Sequence, residues 1–187
     1  MKNLACFHYT KAMRALLHSF DKKHTKAIQS WPESLRGIML FATLIGQPVF
    51  TLGIAALVAG IGFGSGDARL LFAGMLAGFT LGIGTVLKIT LRRSRPLTDY
   101  VMNMRFNTFS LPSGHSVGAV VSYGLLGMIA LTALPLAVGV PIAALLAIAI
   151  VMIGISRVYL GAHYPSDVLA GWALGALGLS GIIAILG

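Results

Sequence analysis

Residues 156–167 have the sequence SRVYLGAHYPSD and separate two strongly apolar segments of the chain. Ionisable side chains at a membrane boundary are costly, so the Arg, His and Asp in this stretch indicate a function. Pro165 suits the first turn of a helix, where its missing N–H is not needed, and Asp167 then lies in the same turn, where negative charge is favoured. His163 precedes this helix and can hydrogen-bond to Asp167, an arrangement that orients an imidazole for nucleophilic attack. Taken alone, the stretch is explained about equally well by a helix cap with an incidental His.

The composition is that of a membrane protein. The 187 residues are 57% hydrophobic and 10% charged, with a mean hydropathy of +0.87, which is outside the range of soluble globular domains. The net charge of +9 does not indicate nucleic-acid binding, because the cations flank apolar segments. Cys6 is the only cysteine, so we expect no intramolecular disulfide and no cysteine metal site. We also expect no signal peptide.

The pattern predicts an all-α integral membrane bundle with about five transmembrane helices in one domain, residues 36–187. Residues 1–35 mix apolar and basic side chains, which predicts an amphipathic segment on the membrane surface. The predicted spans cover residues 38–63, 70–91, 114–133, 142–155 and 166–186.

Prolines and glycines mark the predicted interruptions. Gln47-Pro48 should kink the first span. We expect tight turns at residues 60–67 and between Pro135 and Pro141. Small-residue stripes, which allow helices to approach closely, occur at Gly74, Gly78 and Gly82 and again at Gly171 and Gly175.

Five spans place the N-terminus, the loop 92–113 and residues 156–167 on one membrane face. Lys88 and Arg95 lie seven residues apart, close to two helical turns, so they can project from one side and bind an anion. Taken alone, this pair is somewhat better explained as positive charge that flanks the end of a span than as an anion site. We interpret Arg92 and Arg93 as flanking charge as well.

A second cluster on this face is Pro112-Ser113-Gly114-His115. Ser113 is suited to cap the third span. The N–H groups at the start of that helix, with Gly114 permitting close approach, can bind an anion, and His115 could transfer a proton to or from it. By itself, His115 is better explained as a residue at a helix start without a role.

Together the clusters suit a phosphate ester. Cations and N–H donors hold its oxygens, one His attacks, and the other protonates the leaving oxygen. A metal site fits less well, because no second carboxylate joins the cluster in the sequence and the cations would repel a divalent ion.

These residues resemble the type 2 phosphatidic acid phosphatase / vanadium haloperoxidase superfamily. Its pattern is K-x6-R-P, P-S-G-H and S-R-x5-H-x3-D, and the matching segments here are residues 88–96, 112–115 and 156–167. Every position agrees in order and spacing, and the flanking helices are similar to those of the membrane branch.

The resemblance implies a phosphatase that needs no metal or other cofactor and works through a phosphohistidine. It implies that His163 is the nucleophile, that Asp167 orients it and that His115 is the general acid. It assigns phosphate binding to five residues: Lys88, Arg95, Ser113, Gly114 and Arg157.

We therefore expect a bacterial lipid phosphatase acting on undecaprenyl diphosphate, phosphatidylglycerophosphate or phosphatidate. The expected partners are this substrate and membrane lipids, with no nucleic acid; the oligomeric state stays open. The loop 97–111 is expected to contact the headgroup through Asp99, Tyr100, Asn103, Arg105 and Asn107. A phosphotransferase with the same covalent intermediate is an alternative. An anion transporter is disfavoured by the apolar spans, and a haloperoxidase because that branch is soluble.

The charge distribution and the family resemblance indicate opposite sides of the bacterial cytoplasmic membrane for the site. The basic N-terminus lies on the site's face, which the positive-inside rule makes cytoplasmic. The family usually has its site on the extracytoplasmic face, and we follow that expectation.

Overall fold

The computed structural model describes residues 11–104 and 108–187, with side chains from residue 15 onward, and these ranges contain helices and no strand. The helices are α1 (Lys11–Gln29), α2 (Arg36–Ile45), α3 (Pro48–Ser65), α4 (Ala68–Leu91), α5 (Asp99–Met102), α6 (Gly114–Ala133), α7 (Leu136–Tyr159) and α8 (Pro165–Leu186). Five of the described helices, α3, α4, α6, α7 and α8, are long and apolar enough to cross a membrane. The predicted all-α membrane bundle is therefore confirmed.

The first predicted span is two helices rather than one kinked helix. Helix α2 ends at Ile45 and α3 begins at Pro48, where proline occupies a position that needs no N–H. The hydroxyl of Tyr123 donates to the carbonyl of Ile45 at 2.7 Å and so satisfies a group that the break leaves open. The predicted interruption at Gln47-Pro48 is therefore present, but it separates two helices instead of kinking one, and α3 alone has the length and hydropathy of a span.

Two predicted turns are shorter than expected. Helix α7 begins at Leu136, and the carbonyl of Pro135 accepts from the N–H groups of Val138 and Gly139. Pro141 therefore lies inside the helix. The glycine-rich stretch 60–67 is mostly helical, because α3 continues to Ser65 and the turn is reduced to the two residues 66 and 67.

Glycines bring α8 against α6. A Cβ on Gly171 would lie 2.7 Å from Cβ of Ser116 and 2.8 Å from the carbonyl oxygen of Ser113, and one on Gly175 would lie 2.6 Å from Cβ of Val120. The small-residue stripe on α8 was therefore correctly predicted as a packing surface. On α4 the prediction was wrong at Gly82, where a Cβ would meet no atom within 4 Å.

The helix ends converge on one face of the bundle. The C-terminal ends of α4 and α7 and the N-terminal ends of α6 and α8 meet there, and α1 packs against α7 and α8. The side chain of Gln29, at the end of α1, donates to the carbonyl of Val158 at 3.2 Å. This arrangement gathers the polar residues of three sequence motifs beside the N-terminal helix.

Candidate active site

The start of α8 holds Asp167 in a fixed position. Tyr164 is the N-cap residue, and its N–H donates to Asp167 Oδ2 at 2.9 Å, which forms one half of a capping box. His163 Nδ1 lies 3.5 Å from the same oxygen. Both side chains are buried, with 1% and 0% of their surface exposed. The structure thus brings together the His and Asp that the sequence paired, although Nδ1 has no hydrogen-bond partner within the described residues.

The other ring nitrogen of His163 faces a guanidinium group. Arg95 Nη1 lies 3.1 Å from His163 Nε2 and donates to the carbonyl of Ala162 at 3.0 Å, while Arg95 Nε donates to the carbonyl of Thr108 at 2.6 Å. Because Arg can only donate, Nε2 is the acceptor in this contact. The ring proton then belongs on Nδ1, on the side of Asp167, and the lone pair of Nε2 points to the cations.

The surroundings of His163 favour its neutral form. Burial lowers the pKa of His163 well below its ordinary value of 6.5, and the charges of Arg157, Arg95 and Lys88 lower the pKa further. A neutral imidazole keeps the lone pair that a nucleophile requires.

Lys88 and the start of α6 form the next part of the site. A Cβ on Gly114 would lie 3.5 Å from Lys88 Nζ, so the last turn of α4 lies directly beside the first turn of α6. Ser113 caps α6 as predicted: its Oγ accepts from the N–H of Ser116 at 3.4 Å. The N–H of Ser113 donates to the carbonyl of Asp167 at 3.0 Å, which ties the start of α6 to the start of α8.

His115 is half-buried in the first turn of α6. The charges of Arg157, Lys88 and Arg95 act on this imidazole as they do on that of His163, which places both histidines in the same cluster. The candidate nucleophile, in the turn between α7 and α8, and the candidate proton donor, in the first turn of α6, thus lie at the same end of the bundle.

Arg157 is the largest of the fully buried side chains, with 1% exposed. It donates from Nη1 to Thr43 Oγ1, and its guanidinium lies 5.8 Å from the ring centroid of Tyr100. Its Nε has no partner within the described part of the chain. A buried guanidinium with an open donor is suited to bind an anion.

The loop predicted to contact the headgroup is partly described. Residues 99–102 form α5, which Thr98 caps, and Tyr100 faces Arg157. The side chain of Asn103 donates to the carbonyl of Asp99 at 2.9 Å, within the loop itself. Arg105 and Asn107 lie outside the described residues, and a headgroup contact stays a prediction for the whole loop.

Sequence reasoning missed Arg93 and Asp21. Arg93 was interpreted as flanking charge, but it bridges two carboxylates: Nη1 donates to Asp167 Oδ1 at 2.7 Å and Nη2 donates to Asp21 Oδ2 at 2.6 Å. The statement that no second carboxylate joins the cluster was therefore wrong. One signal was available, since Asp21 is the only acidic residue before Glu33 in a segment rich in Lys. The interpretation of Arg92 agrees with its exposed position.

Metal ligands are not gathered at this site. The described residues contain no group of three or more His, Cys, Asp and Glu side chains able to hold a metal ion. Both oxygens of Asp167 already accept hydrogen bonds, from Arg93 and from the N–H of Tyr164.

A model of the PAP2 superfamily matches residues 68–186, which include all three motifs. Phosphatidylglycerophosphatase B of Bacillus subtilis is 32% identical over 180 residues, which cover 93% of this chain and 85% of that protein. An undecaprenyl-diphosphatase of Sulfolobus acidocaldarius is 28% identical over 149 residues, covering 76% of this chain and 66% of that protein.

Solved structures show the same architecture. The crystal structure of a transmembrane PAP2 type phosphatidylglycerolphosphate phosphatase from Bacillus subtilis matches with a TM-score of 0.75 and 28% identity, over 94% of this chain and 87% of that one. Aquifex aeolicus LpxE matches with a TM-score of 0.62 over 87% of this chain and 93% of that one. At 19% identity, this second match supports the fold alone.

Proposed function

The chain belongs to the PAP2 superfamily and hydrolyses lipid phosphate esters, and on that premise we propose that it works through a phosphohistidine on His163. The observation that carries the proposal is the contact between Nε2 of His163 and the guanidinium of Arg95, at 3.1 Å. It directs the lone pair of a buried imidazole to the place where cations would hold a phosphate group.

The first step forms the covalent intermediate. Arg95, Arg157, Lys88 and the N–H groups at the start of α6 hold the phosphate oxygens. The lone pair of Nε2 forms a bond to phosphorus while the bond from phosphorus to the leaving oxygen breaks, and His115 gives its proton to that oxygen. Asp167 stabilises the positive charge that develops on the imidazole, through the proton on Nδ1.

The second step releases phosphate. His115, now neutral, takes a proton from water as the water oxygen attacks phosphorus. The N–P bond breaks, its electron pair returns to Nε2, and both histidines regain their starting protonation states. Ser113 supports both steps as the cap that positions Gly114 and His115.

The proposed substrate is a lipid phosphate whose headgroup enters the site while its tail stays in the bilayer. The site lies where apolar helices end, so an amphiphile can bind without leaving the membrane. Phosphatidylglycerophosphate is the substrate to test first, because the relative named for it aligns over 93% of this chain. Phosphatidate, another phosphomonoester, and undecaprenyl diphosphate, which carries its terminal phosphate on an anhydride bond, are the comparison substrates.

The proposed location is the bacterial cytoplasmic membrane, with the site on the extracytoplasmic face and α1 on the membrane surface. Helix α1 suits this position because it exposes Leu16 and Phe20, which can enter the interface, and Lys22 and Lys23, which can contact lipid phosphates.

Phosphate release by the purified protein in detergent with EDTA tests the proposal, with His163→Ala as the variant. His18→Ala is the matched control, since His18 is exposed on α1. We expect release by the wild type and the control and none by His163→Ala. Activity that survives in His163→Ala, or that requires an added metal, would contradict the phosphohistidine route. Transfer of phosphate to an added lipid or sugar alcohol, without release, would identify a phosphotransferase instead.

A further inference from the structure

Asp21 is the only buried side chain among the described side chains of α1, residues 15–29. It is 3% exposed, whereas the neighbouring Phe20 and Lys22 face outward. A buried carboxylate is costly unless it is paired and hydrogen-bonded. Among the described side chains of this helix, the one that is fully buried is thus a charge rather than an apolar group.

The partners of Asp21 belong to the start of α8 and to the segment that follows α4. Oδ1 accepts from the N–H of Ser166 at 2.9 Å, and Oδ2 accepts from the hydroxyl of Ser166 at 2.8 Å and from Arg93 Nη2 at 2.6 Å. Ser166 is the second residue of α8, where free N–H groups and the helix dipole favour an anion. Asp21 therefore caps α8 from another helix.

Arg93 connects this cap to the candidate catalytic pair. Its Nη1 donates to Asp167 Oδ1 at 2.7 Å and to the hydroxyl of Ser166 at 2.7 Å, and its guanidinium lies 4.4 Å from the ring centroid of Tyr164. With Oδ1 held by Arg93, the other oxygen of Asp167 is left facing Nδ1 of His163. The rotation of the Asp167 carboxylate is thus fixed at both oxygens, by Arg93 at Oδ1 and by the N–H of Tyr164 at Oδ2, and Arg93 is in turn held by Asp21.

We propose that Asp21 is a positioning residue that acts through Arg93 on Asp167 and His163, and that α1 is therefore part of the active site. The inference rests on the phosphohistidine reaction proposed above. Asp21 lies outside the three motifs and outside the residues that the family model matches. Its role is separate from substrate binding, since no cation assigned to the phosphate contacts it in the described structure.

The test compares kcat, KM and the melting temperature of Asp21→Asn in the full-length protein in detergent. Asn keeps the size of the side chain and an oxygen that can accept from Ser166, but it loses the charge that holds Arg93. We expect kcat to fall about tenfold and KM to stay within about twofold, because a misplaced nucleophile slows the chemical step. Glu33→Gln is the matched control, since it removes the same charge from an exposed position, and its kcat should equal that of the wild type.

Two further variants separate positioning from anchoring of the helix. Arg93→Lys keeps the charge but cannot bridge two carboxylates as a fork, so its kcat should fall as in Asp21→Asn. In an Asp167→Asn background, Asp21→Asn should lower kcat by less than about twofold, because both changes act on one unit.

The possible failures are distinguishable. Wild-type kcat and KM in Asp21→Asn, with a lower melting temperature, would show that Asp21 only anchors α1 and would overturn the inference alone. A full tenfold loss on top of Asp167→Asn would also overturn it. A wild-type protein that releases no phosphate would overturn the proposed function and, with it, the role of Asp21.

Discussion

Substitution of Gly171 by Ala should separate α8 from α6 at the active-site end. The new Cβ would lie 2.7 Å from Cβ of Ser116 and 2.8 Å from the carbonyl oxygen of Ser113, whereas non-bonded carbon atoms pack at about 3.5–4.0 Å. The helices must therefore move apart by about 1 Å at this contact. Asp167 lies one turn before Gly171 and holds the N–H of Ser113 at 3.0 Å, so the same movement shifts the carboxylate relative to the start of α6.

This movement of the helices should lower both the stability of the protein and its kcat. Overpacking of this kind costs about 1–3 kcal/mol of folding free energy, and a displacement of about 1 Å at reacting groups can cost about 100-fold in rate. We therefore expect Gly171→Ala to melt at a lower temperature and to lose about 10- to 100-fold in kcat below that temperature.

Gly82→Ala is the matched control for the same chemical change in a membrane helix. A Cβ there would meet no atom within 4 Å, so stability should stay equal or rise by up to about 1 kcal/mol, and kcat should not change. The assays are thermal unfolding in detergent and phosphate release from phosphatidylglycerophosphate. Wild-type kcat and melting temperature in Gly171→Ala would refute the close contact between α6 and α8.

The remaining predictions concern proton transfer and orientation in the membrane. In the proposed mechanism His163 must be neutral to attack. Because burial together with Arg157, Arg95 and Lys88 lowers its pKa well below 6.5, the acid limb of kcat/KM should lie below pH 6.5. Arg95→Gln removes one of these charges and should move the acid limb of kcat/KM to higher pH. Arg92→Gln removes a charge at an exposed position and should leave the acid limb unchanged. An acid limb that does not move in Arg95→Gln would contradict the electrostatic argument. His115→Gln should lower kcat by about 10²- to 10⁴-fold on a lipid phosphate and much less on p-nitrophenyl phosphate, whose leaving group needs no proton; equal losses on both would argue against a general acid. A Glu33→Cys, Cys6→Ser protein should react with a membrane-impermeant maleimide in spheroplasts, and labelling only after lysis would place the site on the cytoplasmic face.

The sequence was sufficient to predict the bundle and the end of it at which the residues of the three motifs meet. The number of long apolar segments predicts the number of membrane-crossing helices, and a short motif predicts the backbone structure of its own residues. Ser113 and Asp167, for example, both act within one turn of a helix start, as expected from residue type alone. These features depend on neighbours in the chain.

Features that depend on contacts between distant segments could not be predicted. Asp21 and Ser166 are 145 positions apart, and no local pattern shows that they meet. The interruption at Gln47-Pro48 was predicted from the local proline, but the Tyr123 hydroxyl that satisfies the carbonyl of Ile45 comes from a different helix. Arg93 was misinterpreted for the same reason, because a cation at a span end is ambiguous until the carboxylates around it are known.

Detection of phosphate on His163 would test the central claim most directly. The protein would be mixed with phosphatidylglycerophosphate, quenched in alkali to preserve a phosphoramidate, digested, and analysed by mass spectrometry. We predict a phosphorylated peptide that contains His163 and that is absent from His163→Ala. With p-nitrophenyl phosphate, whose leaving group needs no proton, this peptide should accumulate in His115→Gln, because only transfer to water is then slowed. A protein that turns over substrate while only His115, or no histidine, carries phosphate would contradict the account.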